Sequence, residues 1–237
     1  MRRSILLSVP AAIAVIVATA APAAAAVPPS PAWESSAPFG AWNNGGFILY
    51  NNAWNSSAGP QTIWADSFSH WGAESTQQAG NTAVETYPCV QKDFDNTPVS
   101  SFHLIRNGFT ESMPAQTAGL DAEAANDVWL NNYGIEVMIW VDNHGQRPAG
   151  NVVSHATIFG QKFAVWRGGS TYTFALDHNE TTGMTHILAA IRWLIGHGYI
   201  SSGVTLAQVN FGWEVASTNG RPEDFTVTNY WLHTQQS

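Results

Sequence analysis

Short hydrophobic runs, separated by glycine, asparagine, proline and serine, make up the chain from Trp33 onward. Several runs alternate apolar and polar residues with the period of two that is typical of half-buried strands. Because turn-forming residues recur at short intervals, the pattern predicts a β-sandwich or a β-barrel. The predicted strands are residues 46–54, 62–69, 83–87, 100–105, 126–130, 134–141, 152–158, 161–167, 170–175, 208–215 and 225–233.

One segment departs from this pattern and predicts a single helix. Between residues 182 and 195 the apolar positions recur at helical spacing. The sequence Gly196-His197-Gly198 follows, which is a plausible helix stop. We therefore expect one amphipathic helix packed on an otherwise all-β body.

The predicted strand at residues 135–141 carries an unusual polar face. Its odd positions are all β-branched aliphatic residues and predict a buried face. Its even positions are Glu136, Met138 and Trp140. Because water-facing strands normally carry threonine, serine, lysine or glutamine, an acid beside a thioether and an indole indicates the floor of a cleft.

A second predicted strand, at residues 209–215, repeats the arrangement. Glu214 shares the non-core face with Asn210 and Gly212, and the glycine leaves room for a ligand or a backbone segment. Two glutamates that face one cleft are what the hydrolysis of a glycosidic bond requires. The alternative is that both are ordinary exposed residues among the 17 carboxylates of the chain.

Composition narrows the class of partner. Only 11% of the residues are charged, the net charge is −8, and no basic run exceeds Arg2-Arg3, so we expect no nucleic-acid partner. Eleven tryptophans offer platforms for sugar rings, which favours a neutral polysaccharide. The sequence contains no HExxH, no GxSxG and no glycine-rich phosphate loop, so we expect no metal and no cofactor.

The first 26 residues predict a secretory signal peptide. Arg2 and Arg3 precede an apolar run at residues 5–20, and alanines at 23–26 offer cleavage sites. A membrane anchor is the alternative, but the run is too short and too rich in alanine. We therefore predict a secreted monomer without a membrane partner after cleavage, with a loose segment at residues 27–40 and a catalytic domain at 41–237.

An ordered set of motifs resembles glycoside hydrolase family 12, the retaining endo-β-1,4-glucanases and xyloglucanases. The most specific motif is EVMIW at residues 136–140. The others, in chain order, are FILYNNAW at 47–54, TYPCVQ at 86–91, NDVWL at 126–130, HGQRPAG at 144–150 and GWE at 212–214. The resemblance implies a two-sheet β-jelly roll with a concave substrate cleft and one packed helix.

The resemblance also implies roles for residues at the matching positions. Glu136 would be the nucleophile, Glu214 the acid/base, and Asp127 a neighbour of Glu136 that helps to set the protonation states. A retaining mechanism predicts that the carboxyl groups of the two glutamates lie about 5–5.5 Å apart. Residues expected to contact a β-glucan substrate are Asn52, Trp54, Met138, Trp140 and Pro148.

Two further residues are candidates from their own positions. Trp71 lies beside a turn and is a possible cleft platform, whereas core packing is the default for a tryptophan. His144 follows the Glu136 strand and is a candidate sugar contact, the alternative being a structural histidine. Cys89 is the only cysteine, so no intrachain disulfide forms, and it is expected to be a small buried residue.

Three activities remain open from the sequence. The expected one is a secreted endo-β-1,4-glucanase that cuts cellulose or β-glucan. The alternatives are a xyloglucan-specific endoglucanase and a non-catalytic glycan-binding jelly roll that keeps the cleft. Val215-Ala216 after Glu214 and the spacing of nine residues between Asp127 and Glu136 depart from the family pattern and bear on substrate preference.

Overall fold

The computed structural model describes residues 30–236, so the signal peptide predicted at residues 1–26 lies outside the described part. Residues 30–236 form strands and one α-helix. These are β1 (Trp33–Ser35), β2 (Ala41–Asn44), β3 (Phe47–Tyr50), β4 (Gln61–Ser67), β5 (His70–Ser75), β6 (Cys89–Pro98), β7 (Phe102–Ser112), β8 (Leu120–Leu130), β9 (Ile135–His144), β10 (Asn151–Ile158), β11 (Gln161–Gly168), β12 (Thr171–Leu176), β13 (Thr182–Thr185), α1 (Ile187–Gly196), β14 (Thr205–Thr218) and β15 (Glu223–Gln236).

The strands form two sheets that pack face to face. The smaller sheet has the order β1-β4-β5-β15-β7-β13, and the larger has the order β10-β11-β12-β9-β8-β14-β6-β3-β2. Neighbouring strands are antiparallel except β9 and β12, which are parallel. The predicted fold class, an all-β two-sheet jelly-roll sandwich with one helix, is confirmed.

Two hydrophobic clusters fill the space between the sheets. One contains the buried face of α1, with Ile187, Ile191 and Leu194, packed against residues of β7 and β9. The other is aromatic and contains Trp213 and Phe211 of β14. Because these clusters hold the inner faces of both sheets, the outer face of the larger sheet is free to carry polar groups.

The helix is shorter than the sequence pattern predicts. The spacing predicts a helix from residue 182, but residues Thr182–Thr185 pair with β7 as an edge strand. Threonine and glycine are weak helix formers, so the pairing offered by β7 prevails over the apolar periodicity. The helix begins only at Ile187.

Several strands differ from the predictions made from the sequence. Residues 83–87 form no strand, and only Thr86 makes an isolated bridge, to Val215. Strand β6 carries mostly polar residues, and so its hydrophobic pattern is too weak to predict it. Within the segment that we expect to be loose, Trp33–Ser35 pair with β4 and Trp33 stacks on Trp42.

Trp71 is not a cleft platform, and that expectation is wrong. The residue lies on β5 of the smaller sheet, is fully buried, and packs in the aromatic cluster. Its ring centroid lies 4.9 Å from that of Trp213. Alternation along the strand turns Trp71 and Ala73 towards the interior of the sandwich.

Among residues 30–236, no helix is long and apolar enough to cross a membrane.

Replacement of Trp71 by alanine is expected to destabilise the protein through a large cavity in the aromatic cluster. We expect Trp71→Ala to lower the free energy of unfolding by about 3–5 kcal/mol. The half-exposed Trp54 provides the control, since Trp54→Ala is expected to change this quantity by about 0.5 kcal/mol or less. Chemical denaturation of both variants measures the difference, and equal stabilities would contradict the buried position of Trp71.

Candidate active site

The outer face of the larger sheet forms an open groove of about 400 Å³ across β3, β6, β8, β9 and β14. The groove brings together five residues expected from the sequence: Asn52, Trp54, Asp127, Glu136 and Glu214. Eight further residues complete its lining. These are Phe39, Tyr50, Tyr87, Cys89, Gln91, Trp129, Gln208 and Asn210.

Glu136 occupies the start of β9, beside the hairpin that joins β9 to β8. The register pairs it with Thr171 of β12, and the Thr171 hydroxyl donates a hydrogen bond of 2.6 Å to Glu136 Oε2. Burial raises the pKa of Glu136, and the Thr171 hydrogen bond opposes that rise by stabilising the carboxylate. The threonine thus favours the ionised form.

Asp127 lies on β8, between the strands that carry the two glutamates. Trp129 Nε1 donates a hydrogen bond of 2.7 Å to Asp127 Oδ2. Burial, followed by the charges of Glu136 and Glu214, raises the pKa of Asp127 well above its usual range. Bonds from Trp129 and Asn210 act in the opposite direction, but burial is the largest influence. The arrangement therefore favours a protonated Asp127.

Glu214 lies on β14, on the far side of β8 from β9, and is partly exposed to the groove. Burial, with a smaller contribution from the charge of Glu136, raises the pKa of Glu214 to about 7. The room left by Gly212 is taken by backbone rather than by ligand, because a Cβ there would lie 2.1 Å from the Pro88 carbonyl oxygen.

Glu123 is a fourth acid on the same face, and the sequence analysis missed it. It lies directly opposite Glu214 in the register of β8 and β14 and is fully buried. The predicted strand begins at residue 126, whereas β8 begins at Leu120. Extension of that strand by a few residues would have placed Glu123 on the face of Asp127 by alternation.

Two exposed aromatic rings line the groove. Trp54 is 50% exposed and Phe39 is 68% exposed, so both can receive a flat apolar ligand face. Asn52 has a φ of +44°, which asparagine tolerates better than most residues. Its carbonyl accepts a hydrogen bond of 3.0 Å from the Tyr87 N–H, which fixes the turn that leads to Trp54.

Met138 and Trp140 share the face of Glu136 but do not line the groove. They are only 5% and 4% exposed and form a small cluster with Ala125. Trp140 is flanked in the register by Ala125 and Ala175, and these small neighbours leave space for the indole against the sheet. The expectation of exposed cleft-floor residues is therefore wrong for both.

Pro148 and His144 also lie away from the groove lining. Pro148 is buried in the loop between β9 and β10. His144 Nε2 lies 3.3 Å from Asp142 Oδ1, and the hydrogen bond with Asp142 raises the pKa of His144. Asp142 in turn contacts the buried Glu111, which accepts a hydrogen bond of 3.0 Å from Trp213 Nε1. His144 thus belongs to an interior polar network.

Cys89 contributes to the wall of the groove without being a reactive thiol. It is 2% exposed, and burial raises its pKa. A thiol of raised pKa carries little thiolate and is a poor nucleophile. Within residues 30–236 there is also no group of three or more His, Cys, Asp and Glu residues placed to hold a metal ion.

The groove combines groups that suit acid–base chemistry on a neutral ligand. Glu136 and Glu214 face it from different strands and differ in environment, one with a hydroxyl donor and one with a pKa near neutrality. Carboxyl groups in unlike environments can serve as a base or nucleophile and as an acid. The exposed aromatic rings supply the stacking surface that a carbohydrate would need.

No protein-family model matches the chain. The curated endoglucanase A of Aspergillus kawachii is 27% identical over 206 residues, which cover 78% of this chain and 85% of that protein. Among solved structures, the xyloglucanase domain of NopAA from Sinorhizobium fredii, in complex with cellobiose, superposes with a TM-score of 0.77 at 21% identity. The match covers 87% of this chain and all of that chain.

A native family 12 xyloglucanase from Bacillus licheniformis superposes with a TM-score of 0.73 at 20% identity, over 86% of this chain and 100% of that chain. Together these similarities confirm the resemblance to family 12 that the sequence motifs indicate.

Removal of the hydroxyl beside Glu136 is expected to raise the pKa of that carboxyl. Thr171→Val deletes the donor and keeps the shape of the side chain, so the pKa should rise by about 0.5–1. Thr171→Ser keeps the hydroxyl and should leave the pKa near its original value. Titration of ¹³C-labelled glutamate carboxyls measures both, with Glu136→Gln to assign the resonance. A pKa unchanged in Thr171→Val would contradict the role of this bond.

Proposed function

We propose that the chain is a member of glycoside hydrolase family 12 and a secreted endo-β-1,4-glucanase, which its similarity to endoglucanase A and to the family 12 fold supports. It hydrolyses internal β-1,4-glucosidic bonds of cellulose or β-glucan with retention of configuration. The observation that carries the proposal is the open groove in which Glu136 and Glu214 face one cavity from two strands, with Asp127 on the strand between them.

Glu136 is the nucleophile in this mechanism. Its carboxylate attacks the anomeric carbon and forms a covalent glycosyl-enzyme as the bond to the leaving oxygen breaks. The hydrogen bond from Thr171 supports the role, because it stabilises the ionised carboxylate before attack. It occupies Oε2 and leaves the other oxygen available to the sugar.

Glu214 is the general acid and then the general base. With a pKa of about 7 it retains its proton in mildly acidic solution and donates it to the leaving oxygen. The carboxylate that results then accepts a proton from the water that hydrolyses the glycosyl-enzyme. The two inversions at the anomeric carbon give net retention.

Asp127 limits the total negative charge in the groove, because it is expected to be neutral. It lies on β8 between them, and the favoured neutral form adds no third negative charge to the groove. A protonated Asp127 is also a hydrogen-bond donor. As a donor, it would stabilise the ionised form of Glu136 and lower the pKa of that carboxyl. An ionised Asp127 would have the opposite effect, because its negative charge would raise the pKa of Glu136.

The substrate is a neutral β-glucan chain rather than a small or charged ligand. The groove is open, so a polymer can lie along it, as internal cleavage requires. Trp54 offers a face for stacking of a glucose ring, and Asn52 offers an amide for hydroxyl groups at the same end. The family resemblance also implies that both residues contact the substrate.

Xyloglucan is the second candidate substrate. A branched glucan needs space beside its main chain, and the open groove continues into a second depression of about 600 Å³ lined by Phe39, Trp54 and the residues around Ala58. The two solved structures reported above are described as xyloglucanases. A substrate panel decides between the two glucans.

The enzyme acts outside the cell as a monomer. The signal peptide expected at residues 1–26 supports export, and the substrate is a polymer that does not enter cells. Cleavage of the signal peptide would release a chain that needs no membrane and no nucleic acid for its activity.

Replacement of either groove glutamate is expected to abolish hydrolysis. Reducing-end release from carboxymethyl-cellulose, mixed-linkage β-glucan and xyloglucan should fall by about 10³-fold or more in Glu136→Gln and in Glu214→Gln, because each lacks a group that acts in the transition state. Azide should restore turnover of an activated aryl glycoside to Glu136→Ala, because the shortened side chain leaves room for the anion at the anomeric carbon.

Glu74→Gln is the matched control, since Glu74 is exposed on β5 of the opposite sheet. It should keep the original activity within about twofold. The best substrate distinguishes the cellulase from the xyloglucanase. Binding of all three glucans without any reducing-end release by the parent protein would refute the enzyme and support a glycan-binding jelly roll.

A further inference from the structure

We propose that Glu123 is a positioning residue for Glu214: it keeps its own proton and donates it in a hydrogen bond to the carboxylate that Glu214 becomes when it protonates the leaving oxygen. The inference rests on the proposed role of Glu214 as acid/base. It adds a fourth carboxyl, outside the groove lining, to the three that the family resemblance indicates.

Position selects Glu214 as the partner of Glu123. The two residues are direct cross-strand neighbours on β8 and β14, so their side chains lie side by side on one face of the sheet. Among the described residues, no N–H or hydroxyl group donates a hydrogen bond to either carboxyl oxygen of Glu123. A fully buried carboxyl without a donor is too costly to keep as an anion, and so it is expected to be protonated.

Two other neighbours of Glu123, Asn143 and Ala125, do not compete with Glu214 for its proton. Asn143 is the cross-strand partner of Glu123 on β9. The Asn143 side chain, however, donates a hydrogen bond of 2.9 Å to the Gln146 carbonyl and accepts one of 3.0 Å from the Gln146 N–H. Ala125, two residues along β8 on the same face, offers only a methyl group. The Glu123 proton therefore has the Glu214 carboxyl as its acceptor.

Burial decides which carboxyl keeps the proton. Glu123 is 0% exposed, whereas Glu214 opens to the groove. When two close carboxyls share protons, the ionised form is less costly at the more solvated site. Glu214 therefore ionises first, and Glu123 remains the donor.

Among residues 30–236, the titratable groups that face Glu123 and Glu214 are all acids. Asp127 lies on the same strand as Glu123, and Glu136 lies on β9. The third group is the phenol of Tyr87, in the segment before β6. Its hydroxyl donates a hydrogen bond of 3.1 Å to the Ala125 carbonyl. Burial and the proximity of Glu214 raise the pKa of Glu123 well above its usual range. The bond from Glu123 lowers the pKa of Glu214, against the effect of burial.

The proton count is balanced through the reaction. Before attack, Glu123 and Glu214 hold one proton each. The Glu214 proton passes to the glycosidic oxygen as its bond to the anomeric carbon breaks and the bond to Glu136 forms. The Glu214 carboxylate then accepts the Glu123 hydrogen bond until water returns a proton to Glu214. Glu123 itself neither gains nor loses a proton.

Two substitutions separate this role from a purely structural one. Glu123→Gln keeps the shape and an N–H donor to Glu214, so the Glu214 pKa should stay within about 0.3 of its original value. Glu123→Ala removes the donor, so the Glu214 pKa should rise by about 1. Asp121→Asn, two residues away on β8, is the control and should leave it unchanged.

The primary measurement is the ¹³C titration of the Glu214 carboxyl, assigned with Glu214→Gln, in folded protein without substrate. A lower Glu214 pKa in Glu123→Gln would overturn the proposal, because it would mean that Glu123 is an anion in the parent protein. An unchanged pKa in Glu123→Ala, or failure of the glutamine variant to fold, would also overturn it and leave Glu123 a structural acid.

Activity provides the second readout. The alkaline limb of kcat/KM should move to higher pH in Glu123→Ala and should be restored by Glu123→Gln. If the titration gives the expected shifts but the parent protein releases no reducing ends, the proposed function fails while the proton arrangement stands. If activity is present without the shifts, the inference about Glu123 fails alone.

Discussion

Four carboxyl groups share the outer face of one sheet, and mutual repulsion and burial prevent all four from being ionised together. The groups are Glu123, Asp127, Glu136 and Glu214, and they differ in exposure and in hydrogen-bond donors. Glu123 and Asp127 are the more buried and are expected to hold their protons. Glu136 has the Thr171 hydroxyl, and Glu214 has the groove. The chemistry of the site depends on this unequal distribution.

The two-sheet fold offsets the destabilising effect of four acids placed close together. Strands β8, β9 and β14 are central in the larger sheet, so their backbone hydrogen bonds fix the four acids in register on one face. The opposite face is anchored by the helix cluster and by the aromatic cluster around Trp71 and Trp213. Destabilising charge is thus confined to one surface, while packing between the sheets supplies the stability.

The sequence predicted the fold class and much of the groove, because both depend on strand periodicity. Alternation placed Glu136 and Glu214 on outer faces, and the family resemblance supplied Asp127, Asn52 and Trp54. Alternation does not reveal what covers a face, and so Met138 and Trp140 were expected to be exposed but are buried. Glu123 was missed because a strand boundary was set too late. Trp71 was placed wrongly because a turn conceals which sheet the following strand joins.

The central claim is that Glu136 forms a covalent bond to the sugar while Glu214 handles the proton. The most direct test is to incubate the protein with an activated 2-deoxy-2-fluoro-β-cellobioside, which slows hydrolysis of a glycosyl-enzyme, and to map the label by peptide mass spectrometry. The account predicts stoichiometric labelling of the peptide that contains Glu136, at that residue. Labelling at Glu214 or Asp127, or steady turnover without any labelled protein, would contradict it.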